Sequence, residues 1–202
     1  MLSAESCSSS MRIFVALDID DAIRERISRF MDGLRGFARD ARWVRPESLH
    51  VTLKFVGEKP AEFVERIKQA LSSIQANSTD ITFRGYGFFP GPKAPRVFWI
   101  GIESGPQLAS LASAVDDTLV TLGIPKEEHA FSPHLTLARA GGRSPRGQKG
   151  HAPNDFQHLQ EKLAALTIPD FGTMKPREFF LYQSQPQRGG SRYTKIATFP
   201  LR

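Results

Sequence analysis

Two nearly identical phrases in the sequence carry the residues best suited to chemistry. The first is SLHVTLKF at residues 48–55, and the second is SPHLTLAR at residues 132–139. Each phrase contains a histidine, one spacer residue, a threonine and a leucine. The chain has five histidines, and finding two of them in the same His-x-Thr-Leu pattern is rare by chance. The repeat therefore predicts a shared role for His50 and His134.

A β-strand would place the histidine and the threonine of each phrase on one face. Side chains at positions i and i+2 of a strand project to the same side, so His50 and Thr52 point together, as do His134 and Thr136. The same alternation places Lys54 beside His50 and Thr52. We expect this lysine to extend along the rim of a cleft, with a contact to a substrate base or phosphate backbone as the alternative.

Two imidazoles that face each other across a cleft form an acid–base pair. An unperturbed histidine has a pKa near ~6.5, so one ring can be protonated while the other is neutral. One histidine then gives a proton to a leaving group, and the other takes a proton from water or a hydroxyl group. The threonine hydroxyls can donate to phosphate oxygens, and Arg139 offers a planar fork that suits phosphate. The residues predict metal-independent cleavage or transfer at a phosphodiester, without assigning acid and base between the two histidines.

The elements that must position these residues fall into two related halves. Apolar alternation and helical periodicity predict strands at residues 11–19, 41–57 (interrupted by a turn at Pro46), 80–89, 95–102, 129–140, 177–184 and 192–201, and helices at 20–37, 60–74, 105–123 and 156–166. Each half pairs a His-x-Thr strand with helices on one face of a sheet. The pattern predicts an α+β fold with mostly antiparallel sheets.

Composition narrows the class of protein and of partner. The net charge is +6 and the isoelectric point about 9.7, which favours an anionic partner such as nucleic acid. No run approaches the roughly 18 apolar residues of a membrane helix, and no signal peptide pattern opens the chain. The single cysteine, Cys7, excludes an internal disulfide and a cysteine-based metal site. We expect a cytoplasmic monomer that needs no cofactor.

The sequence also suggests a domain division. Residues 1–10 are rich in serine and are expected to form a disordered leader. Residues 11–202 are expected to form a single domain. Within it, residues 140–155 form a loop rich in glycine and proline with three basic residues. This loop either follows an RNA backbone or is simply solvated, and the sequence does not decide between the two.

The chain resembles a known family over nearly its whole length from Met11. The resemblance rests on five blocks, namely MRIFVALDI, VRPESLHVTLKFVGE, PRVFWIGI, FSPHLTLAR and FFLYQS. They are similar to those of the RNA 2',3'-cyclic phosphodiesterases, historically also called 2'-5' RNA ligases, of the two-histidine phosphoesterase superfamily. The two motifs are specific for the superfamily, and the flanking blocks favour this family within it.

The resemblance implies a bilobal fold with pseudo-two-fold symmetry and both motifs at a central cleft. It implies hydrolysis of a terminal 2',3'-cyclic phosphate to a 2'-phosphate, without metal, on an RNA or oligonucleotide substrate. His50 would then protonate the departing 3'-oxygen, and His134 would activate water. Thr52, Thr136 and Arg139 match the positions that hold the phosphate.

Three alternatives to this function stay open. The same site could join RNA ends in 2'-5' linkage, because ligation is the reverse chemistry with a ribose hydroxyl in place of water. It could instead act on another small cyclic nucleotide phosphate. From a different class of protein, a non-catalytic module could bind such RNA ends without turnover.

The remaining aromatic and histidine residues receive simpler interpretations. Phe14 is assigned to core packing, with stacking on a nucleobase as the alternative. Trp99 lies in an apolar strand and is assigned to the core. The three histidines without a threonine partner, His129, His151 and His158, are expected to be exposed to solvent.

Overall fold

A computed structural model of the chain describes residues 10–141, 156–188 and 190–202. The strands are β1 (Ser10–Leu17), β2 (Arg42–Trp43), β3 (Val51–Pro60), β4 (Ile81–Phe89), β5 (Val97–Ser104), β6 (His134–Arg139), β7 (Asp170–Met174), β8 (Glu178–Gln187) and β9 (Gly190–Pro200). The α-helices are α1 (Asp21–Leu34), α2 (Ala61–Leu71), α3 (Pro106–Val120) and α4 (Gln157–Ala164), and two short 3₁₀ helices span Arg35–Phe37 and Pro46–Ser48. The four predicted helices are present, each slightly shorter than predicted. Most of the predicted leader and of the basic loop lies outside the described residues.

The strands form two sheets that meet at their motif strands. The first sheet has the order β3-β1-β8-β9, and the second has the order β2-β6-β5-β4-β7. All pairings between these strands are antiparallel. Strands β3 and β6 contact each other where the sheets meet. We call the two sheets with their helices the first and the second lobe. The predicted α+β, bilobal architecture is confirmed.

A pseudo-two-fold axis relates the two sheets. The order β3-β1-β8-β9 in the first sheet matches β6-β5-β4-β7 in the second. Strand β4 belongs to the first half of the chain but lies in the second sheet, and β8 belongs to the second half but lies in the first sheet. Each half of the chain therefore contributes strands to both lobes.

Helices cover the faces of the sheets that point away from the cleft. On β1, Ile13, Val15 and Leu17 are buried in one continuous core together with helix residues such as Ile27. The intervening residue Phe14 faces the other way and belongs to a separate aromatic cluster. Helix α3 contacts β3, and α1 contacts β7. In the described ranges, no helix is both long and apolar enough to span a bilayer.

A β-bulge interrupts the first motif strand immediately after its threonine. Ala16 of β1 pairs with Thr52, but the next residue, Val15, pairs with Lys54 rather than with Leu53. One extra residue on one strand reverses the alternation of side chains beyond that point. Lys54 and Phe55 therefore face the side opposite to the one that simple alternation predicts, before a second register shift at Val56.

The second motif strand carries a bulge at the equivalent place. Trp99 of β5 pairs with Thr136, and Phe98 pairs with Ala138, so that Leu137 is the extra residue. The leucine of each His-x-Thr-Leu phrase is therefore the bulged residue. The fifth residue after each histidine consequently turns onto the cleft face.

The first bulge explains why the predicted position of Lys54 is wrong. Lys54 is 5% exposed, and its ammonium lies on the core side of β3. Its Nζ lies 2.6 Å from Oδ1 of Asp116 on α3 and donates to the carbonyl oxygen of Pro125 at 2.9 Å. Lys54 ties the first motif strand to α3, and it does not extend along the cleft or reach a base or phosphate there.

Candidate active site

Both histidines project into the cleft from the beginning of a motif strand. His50 immediately precedes β3, and His134 is the first residue of β6. Both side chains are half-buried. The Nδ1 atom of His50 lies 2.7 Å from the carbonyl oxygen of Ser48, and that of His134 lies 2.8 Å from the carbonyl oxygen of Ser132.

These two hydrogen bonds fix the tautomer of each ring. A carbonyl oxygen can only accept a hydrogen bond, so Nδ1 must carry the proton in both His50 and His134. In the neutral ring this leaves the Nε2 lone pair available for a proton. Each ring therefore presents Nε2 as the atom that gives or takes a proton in the cleft.

The cleft lowers the pKa of both imidazoles. Burial is the main cause and brings the pKa of His50 to about 4, with smaller contributions from the positive charges of Arg139 and His134. The Ser48 carbonyl and the Asp18 carboxylate act in the opposite direction on His50. Burial also lowers the pKa of His134, and Arg139 adds to that effect. Both rings are therefore predominantly neutral at pH 7.

The remaining predicted phosphate ligands share the cleft with the two histidines. Thr52 and Thr136 are half-buried two positions beyond their histidines on the same face. Arg139 is exposed, and its charge acts on both imidazoles. The second bulge turns Arg139 onto the cleft face, because an unbroken strand would have placed it on the core side. The structure thus brings together the two histidines, the two threonines and the arginine predicted from the sequence.

An aromatic cluster packs against the ring of His50. The ring of Phe14 lies 4.8 Å from the His50 ring between centroids, and Tyr193 meets the same imidazole edge-on at 5.1 Å. Tyr182 stacks on Phe14 at 5.2 Å. Phe14 is 3% exposed, so it packs beneath the imidazole and offers no free face to a nucleobase. Its role is to hold the His50 ring in place.

The second lobe has its own aromatic wall, and Trp99 belongs to it. Trp99 is half-buried on the cleft face beside Thr136, whereas Phe98 and Ile100 fill the core. The assignment of Trp99 to the core was therefore wrong, because an apolar strand can bury one face in the core and line a cleft with the other. The indole lies across Gly87, where a Cβ would have no room.

Phe55 is a cleft residue that the sequence analysis missed. It is 61% exposed, and its ring lies 6.1 Å from that of Phe14. As the fifth residue after His50, it occupies the place that Arg139 occupies after His134. The two walls of the cleft therefore differ, with an aromatic ring on the first lobe and a guanidinium on the second. Comparing the fifth residue of the two phrases would have revealed the pair.

Other histidines and metal-binding groups stand apart from this cleft. His129 and His158 are exposed, as predicted, while His151 lies outside the described residues. Across residues 10–141, 156–188 and 190–202, no group of three or more His, Cys, Asp or Glu side chains is arranged to hold a metal ion. The chemistry that the described residues offer is proton transfer around a bound anion.

Comparison with known families connects this cleft to a group of enzymes. The family model described as LigT like Phosphoesterase matches the chain twice, at residues 17–99 and 100–192. Each match contains one His-x-Thr-Leu phrase. The double match agrees with the pseudo-two-fold relation between the lobes.

Curated relatives match nearly the full length of the chain. A protein of Archaeoglobus fulgidus named RNA 2',3'-cyclic phosphodiesterase is 34% identical over 189 residues, covering 94% of this chain and 99% of the relative. A protein of Methanothermobacter thermautotrophicus with the same name is 31% identical over 193 residues, covering 95% of this chain and 99% of the relative.

Solved structures show the same fold. The structure of Escherichia coli LigT complexed with 3'-AMP has a TM-score of 0.74 at 26% identity, covering 96% of this chain and 99% of the other. The structure of the same protein complexed with phosphate has a TM-score of 0.69 at 26% identity, with the same coverage.

Proposed function

Because the chain is an enzyme of the LigT-like phosphoesterase family, we propose that it hydrolyses 2',3'-cyclic phosphate ends of RNA to 2'-phosphates. The observation that carries the proposal is the pair of imidazoles at the cleft, each with Nδ1 bound to a serine carbonyl and Nε2 left for proton transfer. The names of the relatives support the choice of substrate.

The proposed reaction needs one proton given and one proton taken. Nε2 of His134 takes a proton from water as the oxygen forms a bond to phosphorus. The bond from phosphorus to the 3'-oxygen breaks, and Nε2–H of His50 gives its proton to that oxygen. The product carries a 2'-phosphate and a free 3'-hydroxyl group. The assignment of acid and base follows the family resemblance alone.

Three side chains are proposed to hold the phosphate during this step. The hydroxyl groups of Thr52 and Thr136 donate to its non-bridging oxygens from opposite walls of the cleft. The Arg139 guanidinium neutralises the charge that increases on these oxygens in the transition state. Bound phosphate also raises the pKa of His50, because an adjacent negative charge favours the protonated ring.

The pH dependence of the reaction should reflect the lowered pKa of both imidazoles. The value of kcat/KM depends on the free enzyme, in which the pKa of His50 is about 4 and that of His134 lies below its ordinary 6.5. It should rise through the lower pKa, fall through the upper one, and reach its maximum below pH 6.5. The kcat profile should lie at higher pH, since the substrate anion raises the pKa of both rings. A kcat/KM maximum above pH 7.5, measured with cyclic-phosphate substrate, would contradict this mechanism.

Phe55 is proposed to stack on the base of the terminal nucleoside. Stacking of one base on an aromatic side chain contributes about 1–3 kcal/mol, so Phe55→Ala should lower kcat/KM by a factor of about 5 to 150. The loss should disappear with an end whose terminal nucleoside lacks a base. The matched control is Phe37→Ala, since Phe37 is 40% exposed at the Arg35–Phe37 3₁₀ helix. Equal losses on the base-bearing and the abasic substrate would exclude stacking by Phe55.

The test of the function is direct. A short RNA with a 2',3'-cyclic phosphate end is incubated with the protein and excess EDTA, together with a second RNA that ends in a 5'-hydroxyl group. Conversion to a 2'-phosphate end is the expected result. A joined product would instead indicate 2'-5' ligation. Tight binding without turnover would indicate a binding module, and turnover of small cyclic nucleotides alone would indicate a different substrate.

A further inference from the structure

A groove leads away from His50 between the 3₁₀ helix Pro46–Ser48 and the edge strand β9. Resting on the proposed function, we propose that this groove binds the phosphodiester on the 5' side of the terminal nucleoside, through Arg45 and Arg192. The enzyme would then select an RNA strand over a mononucleotide.

The groove consists of two adjoining cavities. The inner one has a volume of about 320 Å³ and is lined by His50, Tyr182 and Lys195 among others. The outer one has a volume of about 380 Å³ and is lined by Arg45 and Gln187 among others. Both cavities are bounded by Glu47, Ser48, Arg192 and Tyr193, so they lie side by side. Each falls within the range of small-ligand pockets, about 300–1,000 Å³.

The position of His50 sets the direction of the strand. If His50 protonates the departing 3'-oxygen, the ribose that bears this oxygen must lie beside His50 rather than beside His134. The strand on the 5' side of this ribose then leaves the cleft from the first lobe. The groove begins at His50 and runs outward from that point. The exposed ring of Phe55 lies further along β3, on the side of His50 away from the groove, where it can stack on the base.

The charges along the groove suit a phosphodiester. Arg45 donates from one nitrogen, Nη2, to the carbonyl oxygen of Arg188 at 3.1 Å, and this bond holds its guanidinium at the outer cavity. Arg192 is exposed on β9 and bounds both cavities. Arginine pairs with phosphate through a planar fork of N–H donors.

Two carboxylates also line the groove, and neither neutralises the positive charge of Arg45 and Arg192. Asp18 is held by Arg24, at 2.6 Å from its Oδ1, and by Lys195, at 2.5 Å from its Oδ2. Its charge is therefore compensated within the first lobe. Glu47 is exposed and bounds both cavities, but in the outer cavity Arg45 and Arg192 outnumber it. The outer cavity consequently favours an anion.

The test compares two substrates that differ by one upstream nucleotide. A nucleoside 2',3'-cyclic phosphate and a dinucleotide ending in the same cyclic phosphate are hydrolysed by the wild type. We expect kcat/KM to be about tenfold higher for the dinucleotide, because a charged hydrogen bond to its phosphodiester contributes about 1.5 kcal/mol or more. Arg192→Gln and Arg45→Gln should bring the ratio of the two values close to 1. The control Arg29→Gln, at an exposed α1 position, should keep the tenfold ratio.

Ionic strength provides a second readout of the same contact. Each phosphate neutralised by a single-stranded ligand adds about 0.7 to the slope of log affinity against log salt. The wild type should therefore show a steeper slope for the dinucleotide than for the mononucleotide, and Arg192→Gln should lose the difference. Thermal unfolding of each variant confirms that the fold is retained, and Arg192→Gln remains informative if Arg45→Gln unfolds.

The experiment distinguishes a groove that does not bind the upstream phosphodiester from a protein that lacks the proposed activity. If the wild type hydrolyses both substrates with the same kcat/KM, or if the arginine variants leave the ratio at its wild-type value, the groove does not bind the upstream phosphodiester. If the wild type hydrolyses neither substrate, the proposed function fails. Calorimetric binding of the dinucleotide and mononucleotide 2'-phosphates to the wild type and Arg192→Gln then decides the role of the groove by itself.

Discussion

Replacing His134 by alanine is expected to lower kcat on a cyclic-phosphate RNA end by about 10²–10⁴-fold, the usual contribution of a positioned acid or base. His50→Ala should cause a loss of the same order. Each variant removes the Nε2 atom that the serine carbonyl has aimed into the cleft. Single-turnover rates with excess enzyme measure the effect on the chemical step without interference from product release.

A substrate with sulfur in place of the 3'-oxygen separates the two roles. A thiolate leaves without needing a proton, so the proposed general acid becomes dispensable. The loss in His50→Ala should shrink strongly on this substrate, whereas the loss in His134→Ala should stay the same. The opposite pattern would exchange the roles of the two histidines.

The threonine variants act as the matched control for this experiment. Thr52→Ala removes a proposed phosphate ligand two residues from His50 but leaves both proton-transfer groups in place. Its loss should therefore be smaller than that of either histidine variant. A loss as large as that of His50→Ala, in a folded protein, would mean that the threonine does more than hold the phosphate.

Replacing Lys54 by methionine is expected to cost about 3–5 kcal/mol of the free energy of unfolding. The ammonium and the Asp116 carboxylate lie 2.6 Å apart, and their side chains are 4% and 12% exposed. Removing the lysine leaves the carboxylate buried without its partner, which costs more than the ion pair itself contributes. Denaturant unfolding of the wild type and the variant measures the difference.

Two further variants show whether the buried pair causes this loss. The double variant Lys54→Met, Asp116→Leu removes both charges and should recover much of the stability. Lys126→Met breaks the exposed pair between Lys126 and Asp117 and should change stability far less, because solvent screens such a pair. If the double variant is as unstable as Lys54→Met, the unpaired carboxylate is not the cause.

The sequence predicts the residues of the site better than the directions in which they point. The repeat of a rare pattern identifies His50 and His134, and strand alternation correctly pairs each with its threonine. The same alternation misplaces Lys54, because a bulge at Leu53 changes the face of the residues that directly follow it. A bulge depends on the pairing of two strands, and the sequence of one strand does not contain that information.

Local patterns also leave the assembly of the lobes undetermined. Helical periodicity gives the four helices, and apolar runs give most of the strands. Neither pattern shows that β4 pairs in the second sheet or that β8 pairs in the first. The groove also depends on the tertiary structure, since Arg45 and Arg192 are far apart in the sequence and line one cavity only in the folded protein.

The exchange of strands between the lobes has a consequence for how a shorter chain could form such a cleft. A polypeptide of half this length could complete both sheets by pairing with a copy of itself, each copy lending one strand to the other. The two motifs would then be related by an exact two-fold axis, and the fifth residue after each histidine would have to be the same. A single chain with two copies is free of that constraint. The aromatic ring of Phe55 and the guanidinium of Arg139 face one substrate from opposite sides because the two halves can differ.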